Sequence, residues 1–428
     1  MKKVAFFTLG CKLNFAETST IANSFIENGF EKVNFNQEAD VYVINTCTVT
    51  NIANKKCRQA INKAIKKAPN AKVVVTGCYA QLKPEELSKI PGVDLVLGNN
   101  EKFNISNYLN NSDSKIINSD LKNISCFYHS FSLSDRTRSF LKVQDGCDYY
   151  CSYCTIPLAR GKSRNAPIKE IIKEAEKLAD NNVKEIILTG VNIGDFGKST
   201  NETFIDLIKA LDKVAGIKRI RISSIEPNLL TDEVINFVAQ SNKIVPHFHI
   251  PLQCGTNNLL KLMHRRYTTE LYSKKVATIK TIMPQACIAA DLIVGVPGET
   301  EEEFKKAYQY VDDLDLSYLH IFTYSERDNT LALTFDNKVP VNIRRERSKI
   351  LHELSEKKRL KFYSQHLNTF KKVLFESKND NGKMYGFTEN YIKVETPYDK
   401  QLINQIVKVK LDKVNADGNV EVLITGSI

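Results

Sequence analysis

Residues 145–154 read DGCDYYCSYC, which sets Cys147, Cys151 and Cys154 in a CxxxCxxC spacing with no fourth cysteine nearby. A closed zinc or iron-sulfur site usually takes four protein ligands, so three thiolates leave one coordination position for something other than protein. Three thiolates holding three irons of a 4Fe-4S cube would leave the fourth iron open, and an added ligand can bind and be reduced there. A zinc triad carrying a catalytic water is the rival, but it wants a nearby acid or base and usually a His or Cys in another spacing. The short spacing, with Tyr153 immediately before the last cysteine, argues strongly against a chance cluster of structural cysteines.

Three further cysteines are remote in sequence but alike in context. Cys11 lies in TLGCKLN, Cys47 in INTCTVT and Cys78 in VTGCYAQ, each just after a compact apolar run: Val4–Leu9, Val41–Ile44 and Val73–Thr76. The segments Glu17–Asn28 and Asn54–Ala68 carry helical spacing with polar outer faces, so the rhythm predicts a parallel α/β sheet. Carboxyl ends of parallel strands share one edge, and three cysteines can converge there. One cysteine at a strand end is usually a small buried residue. Three on consecutive strands, each beside Gly or Thr, predict a second three-thiolate site.

The elements around these residues fall into successive domains. A chain of 428 residues is long enough for two or three cores. The expected division is an N-terminal α/β domain over 1–112, a linker over 113–137, a central domain over 138–365 and a small β module over 366–428. The central domain repeats strand and helix about six times, with strands expected at Ser139–Val143, Glu185–Thr189, Arg219–Ile222, Phe248–Leu252, Ile288–Val294 and Leu319–Phe322. That predicts a partial, open (β/α)6 barrel, short of the eight units of a closed one. Polar strand ends gather where such barrels keep their sites: TGVNIG, SSIEP, PLQCG and GVPGE. They bring Gly190, Asn192, Glu226 and Gln253 toward the first triad, where buried polar groups need partners. Arg160 and Arg164, in LARGKSR, are candidates for holding a carboxylate or phosphate. His247 and His249 alternate on one strand and are expected at core or edge positions.

Composition limits the partners. The formal charge is +11 and the pI near 9.0, which favours an anionic partner, RNA ahead of a membrane surface. No apolar run approaches the roughly 20 residues of a membrane span and no signal peptide is evident, so a cytoplasmic location is expected. Ten cysteines in such a chain do not form the pattern of a disulfide framework. Between Lys338 and Lys372 eleven Lys or Arg face three Glu. A helical reading turns Ile350, Leu351, Leu354 and Leu360 inward and most cations outward, next to a five-stranded barrel from Phe370 to Ile428. Tyr385, Phe387 and Tyr391 are its candidate base-stacking residues, although a structural cap is the plain alternative.

Taken together, TLGCKLN, NTCTVT, TGCYAQ, CxxxCxYC, PLQCG, RRY and VGVPGE make the whole chain resemble the radical S-adenosylmethionine methylthiotransferases. The resemblance implies an N-terminal domain with an auxiliary 4Fe-4S cluster on Cys11, Cys47 and Cys78, a radical barrel with a second cluster on Cys147, Cys151 and Cys154, and a C-terminal RNA-binding TRAM barrel. It implies that the open iron binds S-adenosylmethionine, whose reductive cleavage yields a radical that abstracts hydrogen from an unactivated carbon. The auxiliary cluster would donate sulfur and another S-adenosylmethionine the methyl group. Tyr153, Gly190, Asn192, Glu226, Gln253, Arg160 and Arg164 would then contact the cofactor. An external electron donor of flavodoxin or ferredoxin type, a sulfur source and a tRNA anticodon stem-loop are the implied partners of a monomer. TLGCKLN, NTCTVTNIA and TGVNIGDFG look most like the branch acting on N6-threonylcarbamoyladenosine. The N6-isopentenyladenosine branch and the branch modifying a ribosomal-protein aspartate are alternatives, and a non-catalytic iron-sulfur carrier or RNA-binding protein is the reading outside the family. One departure is YSERDNTLA, where Asn329 stands in place of an expected glycine.

Overall fold

Four sheets follow one another in the computed structural model, which describes residues 1–48, 50–111, 114–121, 124–133 and 137–427. The first holds β1 (Lys3–Thr8), β2 (Glu31–Val33), β3 (Val41–Thr46), β4 (Lys72–Gly77), β5 (Leu95–Leu97) and β6 (Ile116–Ile117), all parallel, in the order β2-β1-β3-β4-β5-β6. Its central strand β3 is buried throughout, as a parallel strand covered on both faces must be. Strand order reverses between β1 and β3. In open α/β sheets the crevice beyond the carboxyl ends at such a reversal is where ligands bind, and Cys11 and Cys47 stand there. β6 extends this sheet past the expected boundary at residue 112; most of the linker beyond it carries no regular element among the described residues.

The first helix, Lys12–Glu27, begins five residues before the expected Glu17, because the β1 turn is short and Cys11 itself occupies the N-cap. A thiolate at that place meets the positive end of the helix dipole.

The central domain has β7 (Ser139–Lys142), β8 (Glu185–Thr189) and β9 (Arg219–Ile222) in one parallel sheet, and β10 (His247–His249), β11 (Cys287–Val294) and β12 (Tyr318–Thr323) in another. Single bridges, Ile220 to Ile244 and Ser224 to His249, join the halves into a six-stranded open barrel. Along β9 Ile220 and Ile222 face the helices, which leaves Arg219 and Arg221 toward the lumen. Other strands alternate likewise, so Lys142, Glu185, His247, His249, Asp291 and His320 make the lumen polar.

Two other parts of the chain close this lumen. The first helix packs on β7, with Phe15 and Ala16 against Phe140 and Ile187. At the opposite end sits the closed barrel of β13 (Phe370–Phe375), β14 (Lys383–Thr388), β15 (Lys393–Pro397), β16 (Ile406–Val414) and β17 (Val420–Ser427). Its Tyr391 stacks on Phe387 at 4.8 Å, with the Arg221 guanidinium 4.7 Å from the Tyr391 ring and that of Arg138 4.2 Å from Phe387. Arg219 donates to the carbonyls of Phe387 and Lys372 at 3.0 and 2.6 Å. Two of the three aromatics expected to stack on bases therefore dock this barrel onto the lumen floor, because the arginines there need a π-face and carbonyl acceptors.

The helix Val341–Ser364 also differs from expectation. Leu351 and Leu354 are buried and Ile350 is partly so, but Leu360 is exposed. Arg344 and Arg347 turn inward, Arg344 to Glu326 at 2.6 Å and Arg347 to Glu299 at 3.0 Å, so the outward cations are Arg345, Lys349, Lys357 and Lys361. Asn329 has φ +61°, the left-handed conformation that glycine would have supplied and that asparagine tolerates.

Candidate active site and metal centres

Cys147, Cys151 and Cys154 occupy the loop between β7 and the short helix Ile156–Arg160. Backbone bonds fix the loop: Cys147 N–H donates to the Gly161 carbonyl at 3.0 Å and Ser152 N–H to that of Met263 at 3.1 Å. Amides of Tyr149 and Ile156 approach the sulfurs of Cys147 and Cys154 at 3.3 and 3.4 Å, so each thiolate would be met by an N–H donor. Burial pushes the thiols of Cys147 and Cys154 up to about 12 and raises that of Cys151. Such thiols ionise when a cation replaces their protons.

The triad rims a cavity of about 270 Å³ whose walls include Asn192, Ser224, Glu226, Gln253, Arg265, Asp291 and Thr50. Asn192 is buried and neither atom of its side-chain amide has a partner. A buried amide leaves both groups unpaired only at a cost, which a bound polar ligand would remove. Glu226 pairs with Arg265, yet desolvation outweighs that cation and raises its carboxyl. Arg265 also donates to the Cys151 sulfur at 3.1 Å and to the Tyr153 and Tyr267 hydroxyls at 3.4 and 3.1 Å. Sequence reasoning did not single out Arg265 for a role, although RRY was visible as a motif; spacing gives no hint that an arginine more than a hundred residues away reaches Cys151.

Sulfurs bound to one tetrahedral zinc stand about 3.8 Å apart, given Zn–S bonds of roughly 2.3 Å. Among the described residues the group whose ligand atoms all lie within 4.8 Å of one another is His249, Asp291 and His320, and neither cysteine triad is so drawn together. Wider spacing suits a cluster whose irons each take one thiolate.

At the sheet reversal, Gly10 has φ +107°, and a Cβ there would stand 2.9 Å from the Cys47 Cβ and 3.1 Å from its sulfur. Any side chain at residue 10 would occupy the space in front of that thiol. Cys78 opens the helix Cys78–Leu82, and the Asn99 amide lies 3.7 Å from its sulfur while donating to the Ala159 carbonyl at 2.6 Å. Cys11 keeps solvent exposure at the helix start, while the protein packed around it raises its thiol against the opposing pull of Arg160. The Cys57 thiol donates to the Cys47 carbonyl at 3.6 Å and is a packing neighbour. Cys254 lies in a side cluster with Leu259 and Tyr324, and Cys287 in the packing beneath the small barrel. The Cys126 carbonyl accepts from Arg164 at 2.9 Å.

Arg160 and Arg164 do not line the cavity. Arg160 makes a paired contact with Glu17, 3.0 Å to each oxygen, and bonds Asp145 at 2.9 Å and Asn14 at 2.6 Å. Lys102 and Lys142 reach Glu17 at 2.5 and 3.0 Å, and Lys142 and Arg164 reach Asp145 at 2.8 and 3.1 Å. Against desolvation, these cations hold both carboxyls below the usual range. Four basic side chains thus face two acids in a buried seam between the N-terminal domain and the barrel, beside Cys11 and Cys78, although desolvation lowers the Lys102 ammonium against the pull of Glu17. A surplus of buried positive charge needs a neighbouring anion, and a cluster on three thiolates supplies one. Gly190 sits against Gln144, whose Oε1 accepts from the amides of Val191 and Asn192 at 2.9 Å, so a Cβ at residue 190 would collide with it. Gln253 is held at φ +64° on the cavity wall and Tyr153 stands over the triad.

Residues 3–98 match the model of the uncharacterized protein family UPF0004, and residues 141–311 that of the radical SAM superfamily. The threonylcarbamoyladenosine tRNA methylthiotransferase MtaB of Bacillus subtilis is 42% identical over 96% of this chain and 94% of its own. The tRNA-2-methylthio-N(6)-dimethylallyladenosine synthase of Clostridium botulinum is 32% identical over 96% and 94%. Among solved structures, the radical S-adenosylmethionine methyltransferase TsrM of Kitasatospora setae superposes with a TM-score of 0.57 at 14% identity, covering 78% of this chain and 77% of that one, a likeness of fold.

Proposed function

Since this chain belongs to the radical S-adenosylmethionine methylthiotransferases, we propose that it adds a methylthio group to the adenine ring of N6-threonylcarbamoyladenosine beside a tRNA anticodon. The higher identity to the threonylcarbamoyladenosine enzyme than to the dimethylallyladenosine enzyme, 42% against 32%, supports this branch. The reaction removes hydrogen from a carbon, attaches sulfur there and methylates the sulfur. It therefore needs two centres flanking one substrate atom. The observation that carries the reading is the pairing of two three-cysteine sets, one rimming the barrel cavity and the other along the carboxyl edge of the N-terminal sheet after β1, β3 and β4, joined by the helix Ile156–Arg160.

Membership in the family brings S-adenosylmethionine and a 4Fe-4S cluster, which together supply the one-electron chemistry when bound. Cys147, Cys151 and Cys154 would hold that cluster, and Cys11, Cys47 and Cys78 a second one that serves as sulfur donor. Asn192 would give its free amide to the cofactor's amino and carboxylate groups. Arg265 would pair with Glu226 and stabilise the Cys151 thiolate. Gly190 and Gln253 would shape the wall, and Tyr153 would exclude water above the triad. Arg160 and Arg164 would act as charge compensation at the domain seam rather than as cofactor contacts. The small barrel would serve as the TRAM module, with RNA following the outward cations of the adjacent helix.

The reading includes an external one-electron donor, a sulfur source, a monomeric chain and a cytoplasmic location. No helix among the described residues is long and apolar enough to cross a membrane. Anaerobic reconstitution should yield about eight irons per chain, two cubes of the 4Fe-4S type. Alanine at Cys147, Cys151 and Cys154 should abolish cofactor cleavage, whereas alanine at Cys11, Cys47 and Cys78 should preserve cleavage and lose thiolation. Catalytic thiolation by the second variant would refute the sulfur-donor role. In a deletion strain, tRNA nucleosides should lose the methylthio group from threonylcarbamoyladenosine; loss from isopentenyladenosine, or an altered ribosomal-protein mass, would move the chain to another branch.

A further inference from the structure

Below the cavity the barrel lumen holds a group of side chains with no part in the scheme above. Asp291 lines the cavity and receives His249 Nε2 at 2.7 Å; the His320 ring stands edge-on to His249 at 5.2 Å and to Tyr318 at 5.2 Å. On β12 the lumen residues His320 and Phe322 and the neighbouring Thr323 are exposed, although Leu319 on the other face is buried. The last strand of the barrel thus presents an uncovered face inside the molecule, continuous with the cavity through Phe322, Thr323 and Asp291. From the N-terminal domain Lys12 brings its ammonium within electrostatic reach of Asp291, His320, Arg221 and Arg138. Arg221 is paired with Glu185 and Arg138 with Glu376, but among the described residues Lys12 makes no ion pair and His320 no hydrogen bond.

A cation outside any ion pair and an imidazole outside any hydrogen bond among the described residues, beside an acid that already accepts from His249, fit a ligand that carries both a carboxylate and hydrogen-bond donors. Threonylcarbamoyladenosine has that chemistry: its N6 substituent ends in a free carboxylate and carries N–H and hydroxyl donors. An isopentenyl group has none of these. We propose that Lys12 and His320 bind the carboxylate of the threonylcarbamoyl substituent and that Asp291 accepts from its N–H or hydroxyl, so this lumen site selects the substrate. The assignment rests on the proposed function and adds to it the residues that read the modification. Position 12 follows Cys11 directly, so the group that recognises the substituent and a ligand of the sulfur-donating centre move together.

The test uses the reconstituted full-length enzyme and three anticodon stem-loop RNAs, bearing threonylcarbamoyladenosine, its carboxamide and isopentenyladenosine. Equilibrium affinity and kcat/KM are measured for each with wild type, His320→Phe and Lys12→Met, and the iron content of every preparation is determined. Wild type should prefer the acid to the carboxamide by roughly 10- to 100-fold, the range for hydrogen bonds to a charged group, chiefly in affinity and KM. Each variant should reduce that preference to within about threefold, through a loss of affinity that is larger for the acid than for the carboxamide. A wild-type enzyme that thiolates the acid but binds acid and carboxamide alike would overturn the inference and leave the function standing. So would a His320→Phe enzyme with undiminished preference, or a divalent ion held by His249, Asp291 and His320 in the active enzyme. Thiolation of the isopentenyl RNA alone would instead remove the proposed function itself.

Discussion

Replacing Glu17 by Gln tests the seam on which the whole site depends. Glu17 is fully buried, accepts both arms of Arg160 and lies against Lys102 and Lys142. The amide keeps the shape but removes the charge, so four buried cations would face only Asp145. Removing one partner from a buried ion network costs about 3–5 kcal/mol, because the remaining charges lose their compensation without regaining water. At roughly 2–4 °C per kcal/mol for domains of this size, the transition that separates the N-terminal domain from the barrel should fall by about 6–20 °C. Its pH dependence carries a sign. Both carboxyls sit below their ordinary values of 4.5 and 3.8 in the folded chain, so their contribution is fully present above about pH 4.5 and is lost as pH falls toward the folded values. The gap between wild type and Glu17→Gln should therefore be widest near neutrality and begin to close below pH 4.5. Calorimetry of the cluster-free proteins from pH 7 to pH 3.5 measures it. Equal melting at neutral pH would refute the reasoning, as would a gap that stays constant into acid.

Asn192→Leu removes two unpartnered buried groups, so it should leave thermal stability unchanged or slightly raised while weakening S-adenosylmethionine binding about tenfold or more, measured by calorimetric titration. Arg265→Met should lower cofactor cleavage at least 100-fold and slow cluster assembly on Cys151, followed by iron analysis and single-turnover cleavage. Tyr391→Ala removes the ring that Arg221 and His247 approach, and should loosen the small barrel by about 1–3 kcal/mol, seen as faster proteolysis near residue 370. Charge reversal at Arg345, Lys349 and Lys361 should weaken tRNA binding and flatten its salt dependence by roughly 0.7–0.9 per lost contact. Reversal at Arg344 or Arg347 should unfold the helix packing instead, since both are buried in ion pairs.

Both groups of cysteines stand out in sequence as candidates because cysteine spacing and position at strand ends are local facts. The parallel sheets were legible for a similar reason: Val41–Thr46 and Val73–Thr76 are apolar enough to be buried on both faces. Charge partners were not legible. Arg160 looked like an anion ligand until folding set Glu17, 143 residues away in sequence, against it at 3.0 Å. Arg344 and Arg347 read as solvated cations, and the acids that bury them come from other segments. Phe387 and Tyr391 kept their aromatic faces, but lumen arginines occupy them first. Lys12, Asp291 and His320 belong to three segments that only the open barrel and the domain docked into it bring together. Local pattern thus determined which residues are candidates for chemistry and which elements hold them, through side-chain type and periodicity. Tertiary structure decided which charges are spent on one another and which remain free for a ligand, because electrostatic pairing depends on distance in space.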